Sequence, residues 1–312
     1  MILRLLPQPA RLRNVLLAGA LLGGVLAGGG ARAQGNGPGT HGARAAGLGN
    51  ASVALAGEVW AVGNNAAGLG ALSAPAVGFY AENRYFSAAL NVAALAFALP
   101  LGGLERTGTG EERRARLGVV GFEAQRFGGA LYNETRLAAG YGYRLGLVAV
   151  GARVEALQVS LEGLGSRRVL LGSLGGQVDI LPQKLTFGAY LYNLNQARLA
   201  DYFDERVPTV LKAGLAYRPA KTVLLSIETE KDVERAANFK AGLEYQPVPL
   251  LAARLGFSSL SEQTTAGLGL RFGRYAVDYA AAWQATLGLS QQLSIGLRLS
   301  NPEPAAAAGP TP

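Results

Sequence analysis

The chain has 312 residues, a formal charge of +8, 49% hydrophobic residues, 44 glycines, one histidine and no cysteine. The missing cysteine excludes a disulfide framework, a thiol nucleophile, a lipoprotein anchor and every Cys-based metal site, and a lone His41 removes most His-based ones. Lys and Arg are scattered, mostly one or two per segment, which speaks against a nucleic-acid surface.

The first segment reads as a leader. Arg4, Arg11 and Arg13 make a basic start, "VLLAGALLGGVLA" (Val15 to Ala27) is an apolar run, and "ARA" (Ala31 to Ala33) is a small-x-small cleavage pattern. Residues 1–33 are therefore expected to be a secretory signal peptide cut near Ala33, the run being too short for a transmembrane helix of ~20 residues. Losing Arg4, Arg11, Arg13 and Arg32 would bring the formal charge from +8 to +4. Export of a Gly-rich, cysteine-free chain with no later helix-spanning stretch points to a β-rich outer-membrane or periplasmic protein of a Gram-negative bacterium.

Residues 34–75 form the next region, and "HGARAAGLGNASVALAGEVWAVGNNAAGLGALSAP" (His41 to Pro75) does not alternate. It is small, apolar and broken by glycine. A short helix is expected over Ala51 to Val62, with Asn50 as its N-cap. A segment this apolar needs a cover, and a barrel with small inward residues supplies one. The expectation is a hatch, with Arg44, Trp60, Asn64, Asn65 and Gly68 as its candidate residues.

From Ala76 to Ser300, extended segments of about ten residues recur between turn signals such as "EGLGS" and "RPAKT". The count is about fourteen, an even number that suits a single-chain bacterial barrel. Alternation is clearest in the second half. In "VLKAGLAYRP", Leu211, Ala213, Leu215 and Tyr217 oppose Lys212, Gly214, Ala216 and Arg218. Phe239, Ala241, Leu243 and Tyr245 oppose Lys240, Gly242, Glu244 and Gln246. Successive strand residues point to opposite faces, so each row is a surface.

Alternation by itself fits a soluble sandwich as well as a membrane barrel. Three features favour the membrane. Ten residues tilted at ~45° rise roughly the height of the apolar band of such barrels. Aromatics stand towards strand ends, where girdles form: Tyr80, Tyr85, Phe86, Tyr143, Tyr217, Tyr245, Phe272, Tyr275 and Trp283. The presumed inward rows are dominated by Gly, Ala and Ser. In lipid, each outward Lys or Arg near the midplane costs roughly 2–4 kcal/mol, so the charged rows must face inward. Lys212, Arg218, Lys240, Glu244, Arg254, Arg271, Asp278 and Arg298 are thus the candidate lumen residues, an ion-paired network by default. A sharper reading makes Arg254, Arg271 and Arg298 a patch for an acidic head group.

"GARAAGLGNASVALAGEVWAVGNNAAGL" (Gly42 to Leu69) resembles the start of the FadL-like outer-membrane family, including its PorV/PorQ branch in Bacteroidetes. The family's Asn-Pro-Ala-Gly-Leu signature falls on Asn65, Ala66, Ala67, Gly68 and Leu69, with Ala66 in place of proline. The stretch from Ala266 to Leu299 is similar to the closing strands of that branch. The resemblance implies a 14-stranded barrel with an N-terminal hatch. The main function it implies is a link to type IX secretion or outer-membrane protein handling, as in PorV/PorQ-type members, with FadL-type carriage of hydrophobic small molecules as the alternative. The last strand ends at Leu299-Ser300 without a terminal aromatic, and a Pro/Ala tail (301–312) follows.

No catalytic site is expected. His41 sits in a Gly-rich, mobile-looking stretch, "GLGNAS" lacks a preceding strand, and "DYFDERVP" (Asp201 to Pro208) and "GEERRAR" (Gly110 to Arg116) read as polar loops. The reading is an all-β antiparallel transmembrane barrel without cofactor or metal. Its expected partners are outer-membrane lipids and either secretion-system proteins or a hydrophobic small molecule, with a soluble periplasmic β protein as the remaining alternative.

Overall fold

The structure, a computed structural model, describes residues 37–102, 104–106, 112–114, 117–200, 205–233 and 235–299. The expected leader and tail lie outside the described residues, as do parts of the two polar loops at 110–116 and 201–208.

Fourteen strands close an antiparallel barrel. They are β1 (Ala76–Asn83), β2 (Asn91–Pro100), β3 (Val119–Gly128), β4 (Tyr132–Leu145), β5 (Val148–Leu161), β6 (Gly165–Leu181), β7 (Leu185–Tyr192), β8 (Val210–Ala220), β9 (Val223–Asp232), β10 (Asn238–Val248), β11 (Leu251–Ser258), β12 (Gln263–Phe272), β13 (Tyr275–Gln284) and β14 (Gly288–Arg298). Each strand pairs with its chain neighbours. The seam pairs β1 with β14 from Ala76 opposite Arg298 to Asn83 opposite Gln291, so the barrel has no open edge. Two short hairpins, Leu104–Arg106 with Glu112–Arg114 and Arg198–Ala200 with Glu205–Arg206, stand apart from the barrel ladder.

One end of the barrel, the terminal end, holds both Pro75 and Leu299, whose carbonyl and N–H meet at 2.8 Å. It also holds the tight turns at 146–147, 182–184, 221–222, 249–250 and 273–274, and the long connection 101–118. The opposite, loop end carries the connections 84–90, 193–209 and 233–237. β7 stops at Tyr192 although its apolar pattern runs on, because Asn193 takes a positive φ of 55° and its side chain organises the loop. The Asn193 amide nitrogen donates to the Val207 carbonyl at 2.7 Å, and its amide oxygen accepts from the Ala197 N–H at 2.9 Å.

Burial settles which rows face out. Leu211 is 51% exposed and Lys212 1%, while Leu255 is 59% exposed and Arg254 2%. Apolar side chains coat the wall and ionic ones are enclosed, the reverse of a soluble sandwich, whose apolar rows face a core. The strands are the elements of membrane-spanning length, and no described helix is long and apolar enough to cross a membrane. Tyr217, Tyr245, Phe272, Tyr275 and Trp283 face outward as a girdle requires. Tyr80 does not: it shares the inward parity of Gly78, is 1% exposed, and meets Trp60 edge-on at 5.8 Å. Phe79 takes the outward place beside it.

Residues 37–75 fill the lumen. The helix expected over Ala51 to Val62 is absent. Instead α1 (Ala43–Gly47) and α2 (Ala61–Asn64) flank turns, and a 3-10 turn (Ala66–Ala71) follows. Asn50 is no N-cap; its φ of 65° reverses the chain after α1. Two forces beat helix propensity here. The Ser52 and Val53 N–H groups are taken by a wall carboxylate at 2.7 and 2.8 Å. The hatch backbone also lies directly on inward glycines. An added Cβ at Gly151, Gly242 or Gly256 would collide with hatch backbone atoms of Ala67, Leu48 or Gly49. Side chains there would hold the hatch away from the wall and leave voids in a close-packed interior.

Candidate functional site

The hatch first folds on itself through its paired asparagines. The Asn64 side chain brackets the backbone of His41, accepting from its N–H at 2.9 Å and donating to its carbonyl at 2.8 Å. Asn65 caps the 3-10 turn, accepting from the Ala67 N–H at 3.2 Å, and donates to the Val53 carbonyl at 2.8 Å. The Gly68 carbonyl accepts from the Gly57 N–H at 3.0 Å, and its Cα lies so near the Leu55 carbonyl that no side chain fits. The stretch that carries the family resemblance is therefore a folding signature of the hatch.

Three charged clusters then tie the hatch to the wall. Arg44 grips Glu244 of β10 with a two-pronged contact at 2.8 Å for each prong, and reaches Glu58 at 3.3 Å. Glu244 also accepts from Arg254 of β11 at 2.7 Å, and Arg254 meets Asp278 of β13 at 2.7 Å. In the second cluster, Glu228 of β9 accepts both hatch N–H groups of Ser52 and Val53 and pairs with Lys240 of β10 at 3.0 Å. Glu230 lies 2.6 Å from Lys240 and 3.4 Å from Lys212 of β8. In the third, His41 Nδ1 lies 2.5 Å from Glu123 of β3. From there the chain of contacts runs to Arg153 (2.9 Å), Glu155 (2.8 Å), Arg136 (3.1 Å) and Glu134 (2.7 Å) across β4 and β5. The Tyr192 hydroxyl accepts from Arg136 at 3.0 Å. Charges this buried persist only when paired and hydrogen-bonded.

The candidate residues thus divide. Lys212, Lys240, Glu244, Arg254 and Asp278 are buried in the first two clusters. Arg218, Arg271 and Arg298 instead line a cavity at the terminal end. The arginine patch read from the sequence is corrected accordingly: Arg254 is held between Glu244 and Asp278 and does not join Arg271 and Arg298 as a free cation. His41, which looked mobile in the sequence, is 4% exposed and anchors the hatch to β3.

Sequence reasoning missed Glu123, Glu134, Arg136, Arg153, Glu155, Glu228 and Glu230. The signal was present as alternation: Glu134 and Arg136, Arg153 and Glu155, and Glu228 and Glu230 each recur at a spacing of two on one strand face. The first half hides it because inward apolar residues, Leu157, Val159 and Leu171 among them, continue the same rows.

Two cavities bear on function. One, of about 400 Å³, lies in the lumen at the terminal end, between the hatch and the strand ends. The other, of about 700 Å³, lies on the lipid side of β2 to β6, rimmed by Phe97, Phe122, Leu137 and Leu170 with Ala124, Ala139 and Ala156 between them. The strand that lines it also carries Glu123, whose carboxylate holds His41 on the inner side. Among the described residues no cluster of three or more His, Cys, Asp or Glu could hold a metal ion.

No known family model matches the chain. No curated protein matches it either. Solved structures do. The toluene transporter TbuX of Ralstonia pickettii aligns over 84% of this chain and 98% of its own, with a TM-score of 0.55 and 16% identity. CymD, a monoaromatic hydrocarbon channel, aligns over 82% and 96%, with a TM-score of 0.58 and 12% identity. A FadL homologue of Pseudomonas aeruginosa aligns over 80% and 96%, with a TM-score of 0.53 and 9% identity. The chain has the fold of these barrels. At such identities the likeness is one of architecture, and none of the three is a PorV/PorQ-type protein.

Proposed function

We propose that this chain is an outer-membrane barrel that carries a hydrophobic small molecule across that membrane, with its terminal end on the periplasmic side. Five of the six strand connections at the terminal end are turns of two or three residues, which supports that orientation, although the longest connection, 101–118, lies at the same end. The apolar depression on the lipid side of β2 to β6 carries the transport reading. The hatch fills the lumen, so a water-filled route is closed, while small residues thin the wall where a hydrophobic molecule would pass. The inner wall near the loop end is apolar too, with Leu157, Val159 and Leu171 packed against Leu199 and Val207 of the loop 193–209. The fold shared with TbuX, a toluene transporter, and CymD, a monoaromatic hydrocarbon channel, supports the same reading over a secretion role.

The test is uptake of radiolabelled toluene and of a labelled long-chain fatty acid by cells expressing the chain. Expression is expected to raise uptake of at least one. Ala139→Trp with Ala156→Trp, which fill the lipid-side depression, should return it to background while the barrel still migrates as a folded species on unheated gels. Unchanged uptake, together with a depleted secreted proteome in a deletion strain, overturns transport in favour of the type IX secretion link.

A further inference from the structure

The terminal-end cavity holds charge of a different kind from the clusters above it. Three acids line it, Glu58, Glu244 and Asp278, and all three are engaged by Arg44 or Arg254. Besides Arg44, five cations line it: Arg218, Lys221, Arg271, Arg274 and Arg298 from the ends of β8, β12 and β14 and the turns beside them. None of the five has an ion pair or a side-chain hydrogen bond among the described residues. Arg218 and Arg271 are half-buried, and each feels Arg44 as well as the carboxylate of Glu244.

The lining cations outnumber the lining acids, and an excess of one charge is unfavourable for the protein unless something else supplies the anion. A concave site with a net positive lining and low-dielectric walls also concentrates anions. Four of the five cations are arginines, whose planar donor forks match tetrahedral oxyanions with two parallel bonds. At about 400 Å³ the cavity falls within the range of small-molecule sites and exceeds the bare ion, leaving room for a substituent against Trp60, Val59 and Leu297. We propose that this cavity binds a phosphate-type oxyanion, either free in solution or carried on a lipid head group. The site requires no hydrophobic cargo and stands apart from the transport reading.

The chain has two tryptophans, Trp60 and Trp283, and only Trp60 lines the cavity. The experiment therefore uses the detergent-purified chain carrying Trp283→Phe. In one arm, inorganic phosphate is titrated against chloride at constant ionic strength. In the other, nanodiscs in phosphate-free buffer contain phosphatidic acid or, as the control, phosphatidylcholine alone. Trp60 emission and calorimetry are both read, so that binding silent to fluorescence is still seen. Saturable binding of inorganic phosphate assigns the free anion, and a response to phosphatidic acid alone assigns the head group. Arg271→Gln with Arg298→Gln is expected to weaken the responding arm at least tenfold, whereas Arg126→Gln, a control at the loop end, leaves it unchanged. No saturable binding in either arm overturns the proposal. Binding unaffected by the double variant, with folded migration retained, overturns it equally.

Discussion

At mid-barrel, Arg136 and Arg153 sit among Glu123, Glu134 and Glu155 with contacts of 2.7 to 3.1 Å. At the terminal end, Arg218, Arg271 and Arg298 line an open cavity whose acids are taken by Arg44 and Arg254, and they have no ion pair among the described residues. The two regions share a lumen, a strand period and a set of residue types, and differ in whether each charge is answered. The answered charges run to the hatch through His41, Arg44 and the backbone of Ser52 and Val53, so they hold the plug in register with the wall. The unanswered ones have no ion-pair partner among the described residues and, as proposed above, are left to a ligand. If that contrast is real, substitutions in the first region should cost stability and substitutions in the second should not.

The largest effect is expected from Arg153→Met, which removes the cation that the buried Glu123 and Glu155 share and leaves them with His41 and Arg136 alone. Breaking a buried pair costs about 3–5 kcal/mol. The barrel should lose its folded gel migration at a much lower temperature than the parent. An unchanged melting profile would mean that the mid-barrel network carries no structural weight, and the comparison would fall.

Next comes Leu255→Arg. It places a cation on the lipid face one residue from the buried Arg254, and should cost roughly 2–4 kcal/mol in urea titrations from liposomes. A neutral outcome would put water, and not lipid, on that face.

Asn65→Ala removes the cap of the 3-10 turn, its bond to Val53 and its longer contacts to the wall carbonyls of Gly176 and Ala189, so about 1 kcal/mol is expected, centred on the hatch. Limited proteolysis should cut faster between residues 37 and 75 while the barrel stays intact.

The smallest effect belongs to Arg274→Gln in the terminal-end cavity. Stability should stay within about 0.5 kcal/mol, as for an exposed side chain away from any partner. A loss as large as that of Arg153→Met would reveal an unrecognised partner and remove the distinction between the two regions.

Much of the barrel was legible from local pattern. Every stretch quoted for alternation lies on a barrel strand, and the facing of Leu211 against Lys212 follows from a period of two. Legibility failed where a residue's role depends on something distant. Tyr80 read as girdle because its type suits an interface, yet parity sends it inward to Trp60. Asn50 read as a helix cap because nothing nearby says that Glu228 will claim the backbone of Ser52, 176 positions away.

The amino-acid order thus determined the approximate strand number, the alternation of each strand and, once the wall stands in lipid, which side of a strand meets it, since a misplaced ionic row would cost more than the fold can supply. Tertiary structure decided which lumen charges are neutralised and which remain open. Arg44 reaches Glu244 across 200 positions only because barrel closure and strand register bring β10 beside the hatch. Charge pairing depends on distance in space, and no one-dimensional pattern encodes that distance.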